Sequence, residues 1–221
     1  MTVSVFELFK VGIGPSSSHT VGPMRAARRF VEEVATRMPI RQVVAVEVEL
    51  FGSLAATGRG HGTFDAVLLG LEGLDPATID LDDRDRRLAR MRATSTVLLA
   101  GGRPLPLTAG DIVRSLEPLP EHPNGMRFRV RDRDGGRWEE TYFSIGGGFV
   151  HTADELGGRA PEEAAWPLPF SSAAELLDRA RPRGSLSAVC SRTSARGSPR
   201  GRCAHGCWEC GTRWSRARSA G

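Results

Sequence analysis

Apolar residues recur at helical spacing from residue 21 onward. Val21, Met24, Ala27, Val31, Val34 and Met38 follow one another at intervals of 3, 3, 4, 3 and 4, while Arg28, Arg29, Glu32 and Glu33 fall largely on the other side. That is the pattern of an amphipathic helix with one buried stripe. Thr20 stands where an N-cap belongs, Pro23 falls in the first turn, where its missing N–H costs nothing, and Pro39 closes the helix. The period then switches to two. In VVAVEVELFG, Val44, Val46, Val48 and Leu50 alternate with Ala45, Glu47 and Glu49, which predicts a strand with one buried face. The next stretch, GSLAATGRGHG from Gly52 to Gly62, is too rich in glycine for a regular element and predicts a loop entering a short apolar helix at AVLLGLEG.

Further on, PATIDLDDRDRRLARM predicts a polar helix. The segments RFRVRD and WEETYFSI, separated by RDGG, predict a hairpin whose second strand ends at the glycines 146–148. Helices and strands alternate irregularly, so the expected fold class is α+β, a mixed sheet with packed helices, rather than a doubly wound parallel sheet. From about residue 180 both periodicities stop, and aliphatic residues give way to Arg, Gly, Ser, Ala, Cys and Trp. Such a segment cannot build a core.

Composition changes this picture in one respect. The 221 residues carry a formal charge of +4, but nine arginines and one glutamate beyond residue 180 give that tail +8, which leaves −4 for residues 1–180. The positive excess is therefore not a property of the patterned body, where no stripe of basic and aromatic residues suggests nucleic acid. No apolar run approaches the roughly 18 residues of a membrane span. The start, MTVSVFELFKVG, lacks a basic segment leading into an apolar one, so a cytoplasmic location is expected. Arginine outnumbers lysine 29 to 1, as in GC-rich coding sequence. Read out of frame, such sequence gives the vocabulary of residues 181–221, and the tail is expected to be an out-of-frame or disordered segment.

Three places carry candidate chemistry. GIGPSSSHTVGPM sets Ser16, Ser17, Ser18, His19 and Thr20 at a helix entry. Backbone N–H groups, the helix dipole and hydroxyl donors together suit a carboxylate or phosphate, and His19 titrates near neutral pH. The spacing is neither a P-loop nor a dinucleotide fingerprint. The same residues also describe a serine-rich turn that caps a helix, with His19 at the surface. In TGRGHGTFD, glycines 58, 60 and 62 let a ligand approach His61, and Thr57, Thr63 and Asp65 are candidates to orient its ring. A histidine in a glycine loop is also commonly structural, as expected for His122 and His151. Finally, Cys203, Cys207 and Cys210 have C-x3-C-x2-C spacing, like the loop by which radical-SAM enzymes hold a [4Fe–4S] cluster, but they lie in the unpatterned tail. No metal ligand is assigned to them.

Several stretches, in order, resemble a known family: SVFELFKVGIGPSSSHTVGPMRAARRFV, FGSLAATGRGHGT, AVLLGLEG, HPNGMRF, YFSIGGGFV and PFSSAAELL. Together they resemble the N-terminal, or beta, domain of the iron–sulfur-dependent bacterial L-serine dehydratases. The resemblance implies a beta domain over residues 1–160, the start of a linker to an alpha domain over 161–180, and an unrelated tail over 181–221. It implies an ammonia-lyase that converts L-serine to pyruvate and ammonia, with a [4Fe–4S] cluster held by cysteines of the alpha domain and none bound by this chain alone. In such an enzyme Ser16, Ser17, Ser18 and Thr20 would bind substrate, with His61 as the proton-transferring base and His19 either as its catalytic partner or as a charge that fixes the substrate. The partners implied are L-serine, an alpha domain or alpha chain, and a second copy in a homodimer. Two departures stand out. Phe64 occupies the place where the family usually has Asp, with Asp65 one position later, and the resemblance stops soon after PFSSAAELLDRA, so a truncated chain is expected, inactive by itself. The fold also resembles the allosteric substrate-binding domain of some phosphoglycerate dehydrogenases, which keeps open a non-catalytic module that binds a small carboxylate or a partner.

Overall fold

The computed structural model describes residues 12–157, 170 and 172–183. Of residues 161–180, expected to lead toward an alpha domain, the structure describes residue 170 and a short helix, Ala173–Ala180, capped by Ser172, while residues 184–221, with all four cysteines, lie outside the described residues. The larger compact unit is Gly12–Gly158.

That unit opens with one π-helical turn, Ser17–Val21, which runs directly into helix α1, Gly22–Arg37. Strand β1 (Val43–Phe51), helix α2 (Gly52–Thr57), a 3-10 turn (Gly58–His61) and helix α3 (Thr63–Leu71) follow without a long connection. Helix α4 (Leu81–Thr94) leads to a small hairpin, β2 (Thr96–Leu99) and β3 (Arg103–Pro106). The chain then forms β4 (Val113–Ser115), β5 (Gly125–Asp132), β6 (Arg137–Gly146), β7 (Phe149–Thr152) and a short helix α5 (Ala153–Gly157). The main sheet has the order β4-β1-β5-β6-β7, with β1 parallel to β4 and the other neighbours antiparallel. This is the expected α+β class with a mixed sheet.

The core lies between α1, α3 and one face of the sheet. From α1 come Met24, Ala27, Phe30, Val31 and Val34, and from β1, β5 and β6 come Val46, Val48, Leu50, Met126, Phe128, Val130 and Tyr142. Phe30 is its aromatic centre, stacked on Phe128 at 5.2 Å and on Trp138 at 5.0 Å. Burial of these side chains supplies most of the stabilisation, at roughly 1.5–3 kcal/mol for each large apolar residue. Helix α3 meets α1 through Gly70, where a Cβ would lie 2.2 Å from the carbonyl oxygen of Met24 and 2.8 Å from Ala27 Cβ. Gly70→Ala is therefore expected to push the helices apart and cost roughly 1–3 kcal/mol. A urea midpoint unchanged from the wild type would show that the contact yields freely.

Two sequence expectations shift here. Val44 is exposed rather than buried with Val46, Val48 and Leu50, because the β1–β5 register slips between Val43 and Ala45 and turns Val43 inward instead. The stretch 52–62 is not a loop but α2 followed by the 3-10 turn. Gly52 starts α2 at φ +52°, a left-handed conformation that glycine adopts freely.

Polar pairs lock the edges. The Tyr142 hydroxyl donates to Glu33 at 3.0 Å, and burial raises its pKa. Arg29 donates to Glu33 at 2.8 Å and to both carboxylate oxygens of Glu155 at 2.9 Å, which ties α1 to α5. The hydrogen bonds from Arg29 hold the Glu155 carboxyl at about 2, below its ordinary 4.5. A folded value below the unfolded one adds stability that is present above pH 4.5 and lost as pH falls toward 2. Because the pair is partly exposed, its effect at neutral pH is small. The urea midpoint of the wild type is expected to fall more steeply between pH 5 and pH 2 than that of Glu155→Gln, and parallel curves would count against this assignment.

Candidate active site

The serine–histidine turn is built from its own backbone. Ser16 precedes it in an extended conformation, and its hydroxyl accepts from the His19 amide at 3.1 Å. Its carbonyl accepts from the amides of Thr20 at 3.0 Å and Val21 at 3.3 Å, and the Ser17 carbonyl accepts from Gly22. This changes two expectations. The cap is Ser16, not Thr20, because the turn closes a wider π-type ring before α1 begins. The amides of residues 19–22 are also spent within the turn, so a ligand here would meet hydroxyls and an imidazole rather than a row of free N–H groups. Ser17 is exposed, and its hydroxyl has no hydrogen-bond partner among the described residues.

Behind the turn stands Ser144 of β6, fully buried, which donates to the Ser18 carbonyl at 2.7 Å. Gly22 leaves room for it, since a Cβ there would lie 2.0 Å from Ser144 Oγ. Two crossed bonds then join the turn to the His61 segment. Thr20 Oγ1 donates to the His61 carbonyl at 2.8 Å, and Thr63 Oγ1 donates to the His19 carbonyl at 2.5 Å. The two imidazoles consequently face each other, with ring centroids 4.9 Å apart and planes tilted by 43°.

Their environments differ. His19 has a hydroxyl at each ring nitrogen, Ser18 Oγ at 2.9 Å from Nδ1 and Ser53 Oγ at 3.1 Å from Nε2. Burial, and then the neighbouring His61, lower its pKa against a smaller upward pull from Ser53, so His19 is neutral at pH 7. His61 Nδ1 lies 3.0 Å from the Thr57 carbonyl. A carbonyl only accepts, so Nδ1 of the neutral ring carries the proton and Nε2 keeps its lone pair. His61 Nε2 has no hydrogen-bond partner among the described residues. A cleft of about 400 Å³ opens beside the ring, lined by Thr20, His61, Asp65, Arg84, Asp85 and Arg92.

The structure brings together Ser16, Ser18, His19, Thr20 and His61, with Ser17 on the outer side. The side chains expected to orient His61 do not do so. Thr57 contributes its carbonyl, the Thr63 hydroxyl turns to His19, and Asp65 pairs with Arg92 at 2.9 Å because its place in the first turn of α3 points it toward α4. Ser53 and Ser144 were not singled out from sequence, although they lie within the motifs FGSLAATGRGHGT and YFSIGGGFV. His122 accepts from the Asn124 amide at 3.1 Å, in the turn whose Pro123 carbonyl accepts from the Ser53 amide, and burial lowers its pKa. His151 lies on β7 opposite Phe143. Among the described residues no group of three or more His, Cys, Asp or Glu could hold a metal ion.

The family model of the serine dehydratase beta chain matches residues 4–155. The chain belongs to this family. It is 51% identical over 182 residues to the L-serine dehydratase of Mycobacterium bovis (strain ATCC BAA-935 / AF2122/97), a match that covers 80% of this chain and 39% of that protein. Against the L-serine dehydratase of Streptomyces coelicolor the figures are 43% over 195 residues, 86% and 43%. Against L-serine dehydratase 1 of Escherichia coli (strain K12) they are 42% over 178 residues, 79% and 39%. The chain thus spans about two fifths of the length of the curated relatives it matches. No helix among the described residues is long and apolar enough to cross a membrane.

Proposed function

We propose that this serine dehydratase beta chain supplies the substrate-gripping and proton-transferring half of an L-serine ammonia-lyase. The observation that carries the reading is the His61 ring, with its proton fixed on Nδ1 by the Thr57 carbonyl and its Nε2 lone pair free beside a hydroxyl-lined turn. In this role Nε2 takes the Cα proton of L-serine. The C–O bond at Cβ then breaks, the hydroxyl leaves as water once protonated, and the resulting 2-aminoacrylate hydrolyses to pyruvate and ammonia. His19, kept neutral, adds no positive charge that would oppose protonation of His61. Ser16, Ser17, Ser18 and Thr20 hold the polar atoms of the substrate.

The described residues do not fit the [4Fe–4S] cluster that the resemblance implies, since they contain no cysteine and no cluster of other ligands. Its ligands would come from the alpha partner that the resemblance implies. The test is pyruvate formation from L-serine by the complete protein, followed by a coupled assay. Serine-dependent pyruvate and ammonia in equal amounts are expected. Calorimetric binding of L-serine with no pyruvate would replace this reading with that of a binding module.

A further inference from the structure

Helix α2 faces both imidazoles at once. Ser53 near its start places Oγ 3.1 Å from His19 Nε2, and Thr57, one turn later, offers its carbonyl to His61 Nδ1 at 3.0 Å. The two positions are linked, because Thr57 Oγ1 donates to the Ser53 carbonyl at 2.9 Å. Their placement is fixed from the segment that precedes β5. The Ser53 amide donates to the Pro123 carbonyl at 3.0 Å, and a Cβ on Gly52 would lie 2.5 Å from that same oxygen. With its backbone held in this way, Ser53 presents its hydroxyl to His19.

We infer that Ser53 is a positioning residue of the two-histidine site, whose hydroxyl, opposite that of Ser18, holds the His19 ring against His61. The inference rests on the lyase reading above. Its physical basis is the difference between the partners of the two rings. A carbonyl fixes one protonation pattern on His61, whereas a hydroxyl accepts from an N–H or donates to a lone pair. With Ser18 on Nδ1 and Ser53 on Nε2, His19 keeps both bonds in either neutral tautomer and when protonated. Its ring can therefore stay in place beside His61 while a proton moves in the site. Without Ser53 the ring is tethered on one side and can turn about its own side-chain bonds. Loss of position at a catalytic ring costs turnover rather than ground-state binding.

Long-range 1H–15N spectra of the full chain with labelled histidine, for wild type, Ser53→Ala and Ser53→Thr, read the ring directly. In Ser53→Ala the His19 Nε2 resonance is expected to move away from its hydrogen-bonded position, while the His61 resonances and backbone amides distant from α2 stay. Ser53→Thr restores the wild-type position. In the complete protein Ser53→Ala is expected to lower kcat about 10-fold with KM little changed, again rescued by threonine. Should the alanine variant fail to fold, Ser53→Cys, whose thiol is a weak partner, takes its place. An unmoved His19 Nε2 resonance together with an unchanged kcat would overturn the inference. If the complete protein forms no pyruvate, the lyase reading fails while the spectra still decide the Ser53–His19 contact. If His61→Ala abolishes turnover and Ser53→Ala changes neither spectrum nor rate, the lyase reading stands and Ser53 falls.

Discussion

Replacing Glu72 with alanine is expected to destabilise the Gly12–Gly158 unit by roughly 2–4 kcal/mol, the largest single loss of stability among its polar contacts. The Glu72 side chain has no exposed surface, yet it carries three bonds at the end of α3. It accepts from Arg87 at 3.1 Å, from Arg90, and from the Leu98 amide at 2.8 Å. One carboxylate thereby joins α3, α4 and β2. Its removal leaves a backbone N–H without its acceptor and two arginines, each about one third exposed, without their buried anion. Partial exposure of the arginines places the loss below that of a wholly buried pair. Glu72→Gln keeps the shape and the Leu98 bond and is expected to lose about half as much. Urea denaturation at neutral pH measures both, and a Glu72→Ala midpoint equal to that of the wild type would show that the arginines, not the carboxylate, hold α4.

The elements read correctly from sequence are those whose period is long and unbroken. Helix α1 carries apolar spacing along its whole length, and β5 alternates Met126, Phe128 and Val130 with arginines before the RDGG turn, where Asp132 accepts from the amides of Asp134 and Gly136. Strands β2 and β3 gave no such signal, being four residues each with Pro104 and Pro106 in the second, and prolines are tolerated there because the hairpin has open edges. The slip at Val43 was hidden because Val43 and Val44 are equally apolar, so either could have faced the core. Helix α2 is hidden in the sequence because its six residues, with Leu54, Ala55 and Ala56, run straight into the glycines at 58, 60 and 62, which dominate the composition of the stretch.

The candidate site divides in the same way. Its chemistry was legible, since a hydroxyl-rich turn beside one histidine and a glycine loop around another are both local patterns. The meeting of the two rings was not legible, because it depends on the crossed bonds from Thr20 and Thr63, which join segments far apart in the chain. Ser53 and Ser144 lie within motifs of the family resemblance, but their roles come from the neighbours that folding gives them.

His61→Ala, in this chain combined with an alpha chain, is expected to lower kcat for L-serine by about 10²- to 10⁴-fold, the range for loss of a general base, with KM changed far less. The fold should persist, because the His61 side chain makes one described hydrogen bond, to the Thr57 carbonyl, and the bonds that position its segment use its own backbone carbonyl and the Thr63 hydroxyl. His61→Gln, which lacks a basic nitrogen, should be equally impaired. The decisive measurement is the initial rate of pyruvate formation by the His61→Ala chain combined with an alpha chain, beside the wild type, at saturating L-serine. A rate reduced at least 100-fold in a folded protein is the predicted result, and a near-normal rate would contradict the assignment of His61 as the base.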